Sequence, residues 1–260
     1  MSVVNVSAYK FVPLEKVKSL QVLLKAKGVE CDLRGTILLG NEGINLSIAG
    51  ARAGIDVFKA YLATFPVFEN LPYKESYSEQ TPFCKWVVSV KPEIVTIKDS
   101  ELSPASTPAA YIDAYALKQW LDEKREDVIL LDTRNQFEAA FGTFDEATVL
   151  PIDKFSDFPA ALDAMDPALK EKTIVTFCTG GIRCEKAVLA MHKKGFEKVL
   201  QLSGGILKYF EACGGAHYRG ECFVFDDRVA IDHDLKETDT LQCKQCFQPV
   251  KKEDTHTHVH

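Results

Sequence analysis

The chain has 260 residues, 46% of them hydrophobic and 26% charged, which suits a globular protein with a real core, and two domains are the natural expectation at that length. No apolar run reaches the roughly 18–20 residues of a membrane span, and Met1 to Ser7 lacks the basic and long apolar stretches of a secretory signal, so no membrane contact and a cytoplasmic location are expected. The net charge of −6 is uneven: residues 1–100 carry +2 and the remainder −8, which argues against a broad polyanion-binding face but allows a local basic patch.

Residues 1–98 read as alternating strands and helices. Val3 to Phe11 is a β-rich run. Pro13 opens a helical pattern with Leu14, Val17, Leu20 and Leu24 on one face and Gly28 as its stop. Thr36 to Leu39 and Ile44 to Ile48 read as strands joined by the turn Gly40-Asn41-Glu42-Gly43. Ile55, Phe58, Leu62 and Phe65 mark a second helix, and Cys84 to Val90 closes the unit as a strand. The order β-α-β-β-α-β is that of a ferredoxin-like α+β domain. Residues 99–108, with Ser103-Pro104-Ala105-Ser106-Thr107-Pro108, break both periodicities and read as a linker.

Residues 109–213 form a second alternating unit. Ala114 to Lys124 is helical. Val128 to Leu131 and Thr173 to Phe177 are continuous apolar runs of the kind buried on both faces of a parallel sheet. Arg183 to Lys194 is a helix with Cys184, Ala187, Val188 and Met191 on its apolar face and Gly195 just past its end. Val199 to Leu202 is the next strand, ending in Ser203-Gly204-Gly205. Strands separated by helices predict an α/β fold with a central parallel sheet. Residues 214–260 form a Cys-containing C-terminal extension.

Eight cysteines, at irregular spacing in a core-rich chain, point to reduced thiols, a reactive thiol or a metal site rather than a disulfide framework. The informative one is Cys178, at the end of a buried strand and the start of Cys178-Thr179-Gly180-Gly181-Ile182-Arg183, where a helix begins. Catalytic groups on parallel sheets sit at the carboxyl ends of strands. Two glycines let backbone N–H groups turn inward, the helix adds its positive end, and Arg183 and Lys186 add charge. All of these favour thiolate, so Cys178 is read as the reactive group and Thr179, Gly180, Gly181, Ile182 and Arg183 as its loop. Cys184 is either core or a second, resolving thiol. Asp132 and Arg134, where a buried strand ends, are either a structural ion pair or act on substrate.

Leu131-Asp132-Thr133-Arg134 with Glu138, the strand and loop from Thr173 to Arg183, and Leu202-Ser203-Gly204-Gly205-Ile206 resemble the motifs of rhodaneses. The usual GHIPGA segment is absent; Phe141-Gly142-Thr143-Phe144-Asp145-Glu146-Ala147 stands in its place. Phe177 to Lys186, Gly220 to Val229 and Gly43-Ile44-Asn45 closely resemble the YceA-like, or TrhO, family over almost the whole chain. That resemblance implies a tRNA-modifying enzyme that installs oxygen at carbon 5 of the wobble uridine, position 34. It implies molecular oxygen as co-substrate, Cys178 as a persulfide-type active-site cysteine, and tRNA as partner. No flavin, nicotinamide or iron-binding fingerprint is evident, so no cofactor is expected.

Cys243-Lys244-Gln245-Cys246 is a C-x-x-C knuckle, half of a tetrahedral zinc set; Cys213, Cys222, His256, His258 and His260 are completions at poor spacing, and ordinary thiols or a redox pair are the alternatives. His192, His217 and His233 have no ligand spacing. Lys10, Lys16, Lys18, Lys25 and Lys27 could contact RNA phosphates or simply form a solvated face. A rhodanese sulfurtransferase, moving sulfane sulfur through a Cys178 persulfide, is the alternative function; the flanking domains are unexplained by it. A phosphatase loop would place arginine at position 184, which is Cys184, and a non-catalytic module would have no use for Cys178.

Overall fold

The computed structural model describes residues 2–252. They divide into two compact units: the chain up to Thr96 with Ser103–Thr107, and Ile97–Leu102 with the chain from Pro108 onward.

The first unit contains β1 (Val3–Phe11), α1 (Val17–Glu30), β2 (Arg34–Gly40), β3 (Gly43–Gly50), α2 (Arg52–Ala63), β4 (Lys74–Ser78) and β5 (Trp86–Val90). The sheet order is β4-β1-β3-β2-β5, antiparallel except for the β2–β5 pair. The first four strands of that order are the ferredoxin-like set. Alternate residues of the strands, among them Val4, Val6, Ile37, Leu46 and Ile48, form one core with Leu20 and Leu24 of α1 and Ile55, Phe58 and Leu62 of α2.

The structure corrects four local expectations here. The fourth ferredoxin strand is β4, not the run at residues 84–90; β4 is a polar edge strand, Lys-Glu-Ser-Tyr-Ser, with no apolar alternation to betray it. The run at 84–90 begins pairing at Trp86 and adds β5 parallel to β2 on the opposite edge. Helix α1 begins at Val17 rather than Pro13, because Val12 and Leu14 donate their N–H groups to Glu42 and Asn41 and stay extended. Gly28 lies inside α1 instead of ending it: a Cβ there would sit 2.0 Å from the Trp86 ring, so the glycine makes room for the indole. Phe65 falls outside α2 because Pro66 disfavours a helical conformation in the residue before it, and Phe65 is extended at φ −91°, ψ 114°.

The second unit contains β6 (Ala110–Ile112), α3 (Ala114–Asp122), β7 (Val128–Asp132), α4 (Gln136–Phe141), β8 (Gly142–Phe144), β9 (Thr148–Val149), α5 (Phe158–Leu162), β10 (Thr173–Phe177), α6 (Ile182–Lys193), β11 (Val199–Leu202) and α7 (Gly205–Cys213). Its central sheet is wholly parallel, in the order β6-β11-β10-β7-β9. Val175 and Phe177 of β10 join a core with Leu117 of α3 and Ile206, Tyr209 and Phe210 of α7. Thr176, between them, meets Cys184 of α6, so α6 covers the other face. Helix α3 stops two residues short of Lys124, which turns into a left-handed φ of 51°. Gly195, at φ 84°, closes α6.

Residues 214–252 belong to the same unit. β12 (Tyr218–Gly220) pairs with β8, β13 (Cys222–Phe223) with β14 (Ala230–Ile231), and β15 (Thr240–Gln242) with β16 (Pro249–Lys251). No helix among the described residues is long and apolar enough to cross a membrane.

Candidate active site

β10 is buried along its length, and its chain leaves the sheet at Cys178, which is fully buried. The loop 178–181 then feeds directly into α6. Gly181 takes a φ of 102°, a region side chains rarely adopt, and this turns its N–H back onto the Cys178 Sγ at 3.0 Å. Gly180 takes no such conformation; a Cβ there would meet nothing within 4 Å. The carbonyl side of the loop is held from below. Ile206 and Leu207, at the N-terminus of α7, donate N–H groups to the Cys178 and Thr179 carbonyls at 2.9 and 3.1 Å. Gly205 allows that approach: a Cβ on it would lie 2.4 Å from the Cys178 carbonyl oxygen. The late Gly-Gly turn is thus the platform on which the cysteine loop rests.

Burial alone would push a thiol up. At Cys178 it is outweighed by a hydrogen bond from Cys184, by the charge of Arg183, and by the N–H groups of Arg183 and Gly181, which bring the group down to about 5. Cys184 moves the opposite way: burial and the hydrogen bond to Cys178 hold it well above the ordinary thiol range. Its Sγ also lies 3.6 Å from the Thr133 hydroxyl, which is in turn bound to the Phe177 carbonyl at 3.0 Å. The pair therefore consists of one thiolate and one thiol donor. A thiolate in a cradle of N–H groups can attack an electrophilic sulfur and hold the resulting anionic product.

Arg183 is not a free cation. It forms a buried two-point pair with Glu138, at 2.5 and 2.8 Å, and Glu138 also accepts the Asn135 N–H at 3.1 Å. Arg134 and Asp132 are both fully buried and paired at 2.6 Å; Asp132 accepts the Thr143 hydroxyl and Arg134 donates to the Gly142 carbonyl. This second pair ties the end of β7 to β8 at the residues that replace the GHIPGA segment. Lys186 is buried on α6.

Three participants go unnoticed in a residue-by-residue search for reactive groups. Glu138 is visible only as a motif letter, because its partner lies 45 residues away. Cys222, buried and pushed up to about 11 mainly by that burial, exchanges a hydrogen bond with Thr179, and Thr179 also reaches the Phe223 carbonyl at 3.5 Å. Gly205 reads as a turn glycine and gives no hint of what it approaches.

The knuckle lies in the β15–β16 hairpin. The N–H groups of Cys246 and Gln245 lower the Cys243 thiol, the Gln245 contact being 3.4 Å. Those two thiols are half of a tetrahedral set. Among the described residues no group of three or more Cys, His, Asp or Glu stands ready to hold a metal ion. Cys213 instead donates to the Ala114 carbonyl. His256, His258 and His260 lie outside the described residues. His192 and His217 are engaged by the Phe196 carbonyl and the Asp122 carboxylate.

A parallel sheet, a strand-end cysteine loop and a helix N-terminus under it define a rhodanese-domain protein, here with a ferredoxin-like partner domain. Residues 113–212 match the rhodanese-like domain family, and residues 3–94 match the UPF0176 acylphosphatase-like domain. The chain is 49% identical over 261 residues to the tRNA uridine(34) hydroxylase of Burkholderia lata, covering 97% of this chain and 92% of that protein. It is 49% identical over 254 residues to the protein of the same name from Burkholderia mallei, covering 95% and 85%. The chain belongs to the family of the tRNA uridine(34) hydroxylases. Among solved structures, the rhodanese-like domain of the Anabaena Alr3790 protein aligns at 22% identity and a TM-score of 0.37, over 58% of this chain and 98% of that one.

Proposed function

We propose that this chain is a tRNA-modifying enzyme that hydroxylates carbon 5 of the wobble uridine, with Cys178 as its reactive group, molecular oxygen as co-substrate, and the cytoplasm as its place of work. The observation that carries the reading is 49% identity, over 97% of the chain, to a protein named tRNA uridine(34) hydroxylase. The loop supports the choice of residue, since Cys178 is a buried cysteine that its surroundings bring low, to about 5. In this reading the loop N–H groups and Arg183 hold the sulfur as an anion, Cys184 holds a proton beside it, and Glu138 fixes Arg183. The ferredoxin-like unit serves RNA docking and the rhodanese unit the chemistry.

The test is nucleoside mass spectrometry of tRNA from cells lacking the gene, complemented with the wild-type chain or with Cys178→Ser. Restoration of 5-hydroxyuridine-type nucleosides by the first and not the second is the expected outcome. Equal restoration by both removes Cys178 from the reaction. An unchanged nucleoside profile on deletion, in a host with no second route to that modification, turns the assignment to sulfur transfer through a Cys178 persulfide.

A further inference from the structure

Phe225 is 65% exposed, yet it stands on one of the more firmly built turns in the molecule. The turn closes with Val224 donating to the Val229 carbonyl and Val229 to the Asp226 carbonyl, at 2.9 and 3.0 Å. Asp226 and Arg228, both largely buried, form a two-point pair at 2.8 and 2.6 Å, and Asp226 also accepts the Arg228 N–H. A mobile surface loop needs no buried ion pair. Here the pair fixes a turn whose outward product is one aromatic ring.

That ring is not placed at random. The Arg183 guanidinium lies over it, 5.8 Å from the centroid. Arg183 is the last residue of the cysteine loop, and its N–H and charge both act on Cys178. The ring edge rests on Phe223, at 5.0 Å and 88°, and Phe223 packs on Phe137 and Phe141. The Phe223 carbonyl is in turn held by Thr179 of the same loop. An apolar stack therefore rises from the body of the domain beside the reactive loop and ends in an exposed ring.

We infer that Phe225 is a stacking platform for a nucleobase of the substrate RNA, placing the base of the target nucleotide beside the Cys178 loop. The inference rests on the tRNA reading above. Proteins that act on unpaired RNA bases hold them on aromatic faces and arginine planes, and both stand together here. The replacement of one aromatic ring by alanine at such platforms weakens binding about 5- to 100-fold. Because Phe225 is exposed, its removal leaves the core intact.

The experiment uses the full chain and two anticodon stem-loop RNAs, one intact and one lacking only the base at position 34, with affinity read by fluorescence anisotropy. The wild type should bind the intact RNA more tightly than the abasic one by roughly that factor. Phe225→Ala should bind both equally, at the level of the abasic RNA. Phe225→Tyr should restore the difference, and Phe225→Leu, apolar but without a π face, should not. Thermal melting of each variant checks that the fold is kept. A Phe225→Ala protein that still prefers the intact RNA as strongly as wild type overturns the platform. So does Phe225→Leu behaving as wild type, which would make the patch a general apolar contact. Complementation by wild type in the nucleoside assay is scored in parallel. Failure there strikes the tRNA reading, whereas success there with no Phe225 effect strikes only this inference.

Discussion

At the scale of single residues, Cys178 and Cys184 are shifted in opposite directions, one toward the anion and the other toward the thiol. Cys178 is charged above about pH 5 because Cys184, Arg183 and two N–H groups stabilise its anion. As pH falls through that value the thiolate is lost, and with it the anion that the proposed reaction uses. Cys184→Ala removes one of the lowering contacts, so Cys178 should titrate higher, toward the ordinary ~8.5 of a free thiol. Cys184→Ser keeps a donor and should leave it low. Ultraviolet thiolate absorbance against pH reads both; an unmoved midpoint in Cys184→Ala would assign the effect to the backbone and Arg183 alone. The strand-end cysteine loop was legible in the sequence because strand, glycines and helix start are local. The Glu138–Arg183 pair beside it was not, since that contact joins α4 to α6 across 45 residues of chain. For Cys184 the sequence left core and a second, resolving thiol open; the side chain is buried and hydrogen-bonded to Cys178.

At the scale of elements, the glycines carry most of what the sequence left ambiguous. Gly28 in α1 looks like a helix stop, yet it is the slot for Trp86, whose indole N–H donates to the Lys25 carbonyl at 3.0 Å. Alanine is the better helix former by ~1 kcal/mol, so propensity alone predicts that Gly28→Ala stabilises. The packing predicts the reverse, because the new Cβ would meet the ring at 2.0 Å. Overpacking costs about 1–3 kcal/mol, and the net effect should be a loss measurable by urea denaturation. β1 and β10 were readable as β-rich or continuous apolar runs, and α6 from its periodicity. β4 was not, since an edge strand protected by charge has the composition of a loop.

At the scale of the whole molecule, charge is distributed unevenly along the chain, and the slightly basic part holds the candidate phosphate contacts. Lys10 is bound to the Glu69 carbonyl and Lys27 to Glu30. Lys18 and Lys25 are exposed on α1. If they meet the RNA backbone, Lys18→Glu with Lys25→Glu weakens tRNA binding uniformly across sequences and lowers the salt dependence by roughly one unit of slope per lysine. Unchanged affinity and slope would return that helix face to solvent. The sequence puts a linker at residues 99–108; in the structure Ile97–Leu102 goes with the second unit and Ser103–Thr107 with the first. The building of residues 214–252 into the second unit was not readable, because short strands such as β12 and β13 declare themselves only through their partners.

The complete burial of Cys178 has one more consequence, for how the protein ages. A thiolate is the form of cysteine that oxidants and alkylating agents attack. This one lies out of contact with solvent, pinned by N–H groups on its sulfur and on its own carbonyl, so bulky disulfides and alkylating agents meet it only after a local opening. The rate of its modification should therefore follow how often the loop opens rather than how nucleophilic the sulfur is.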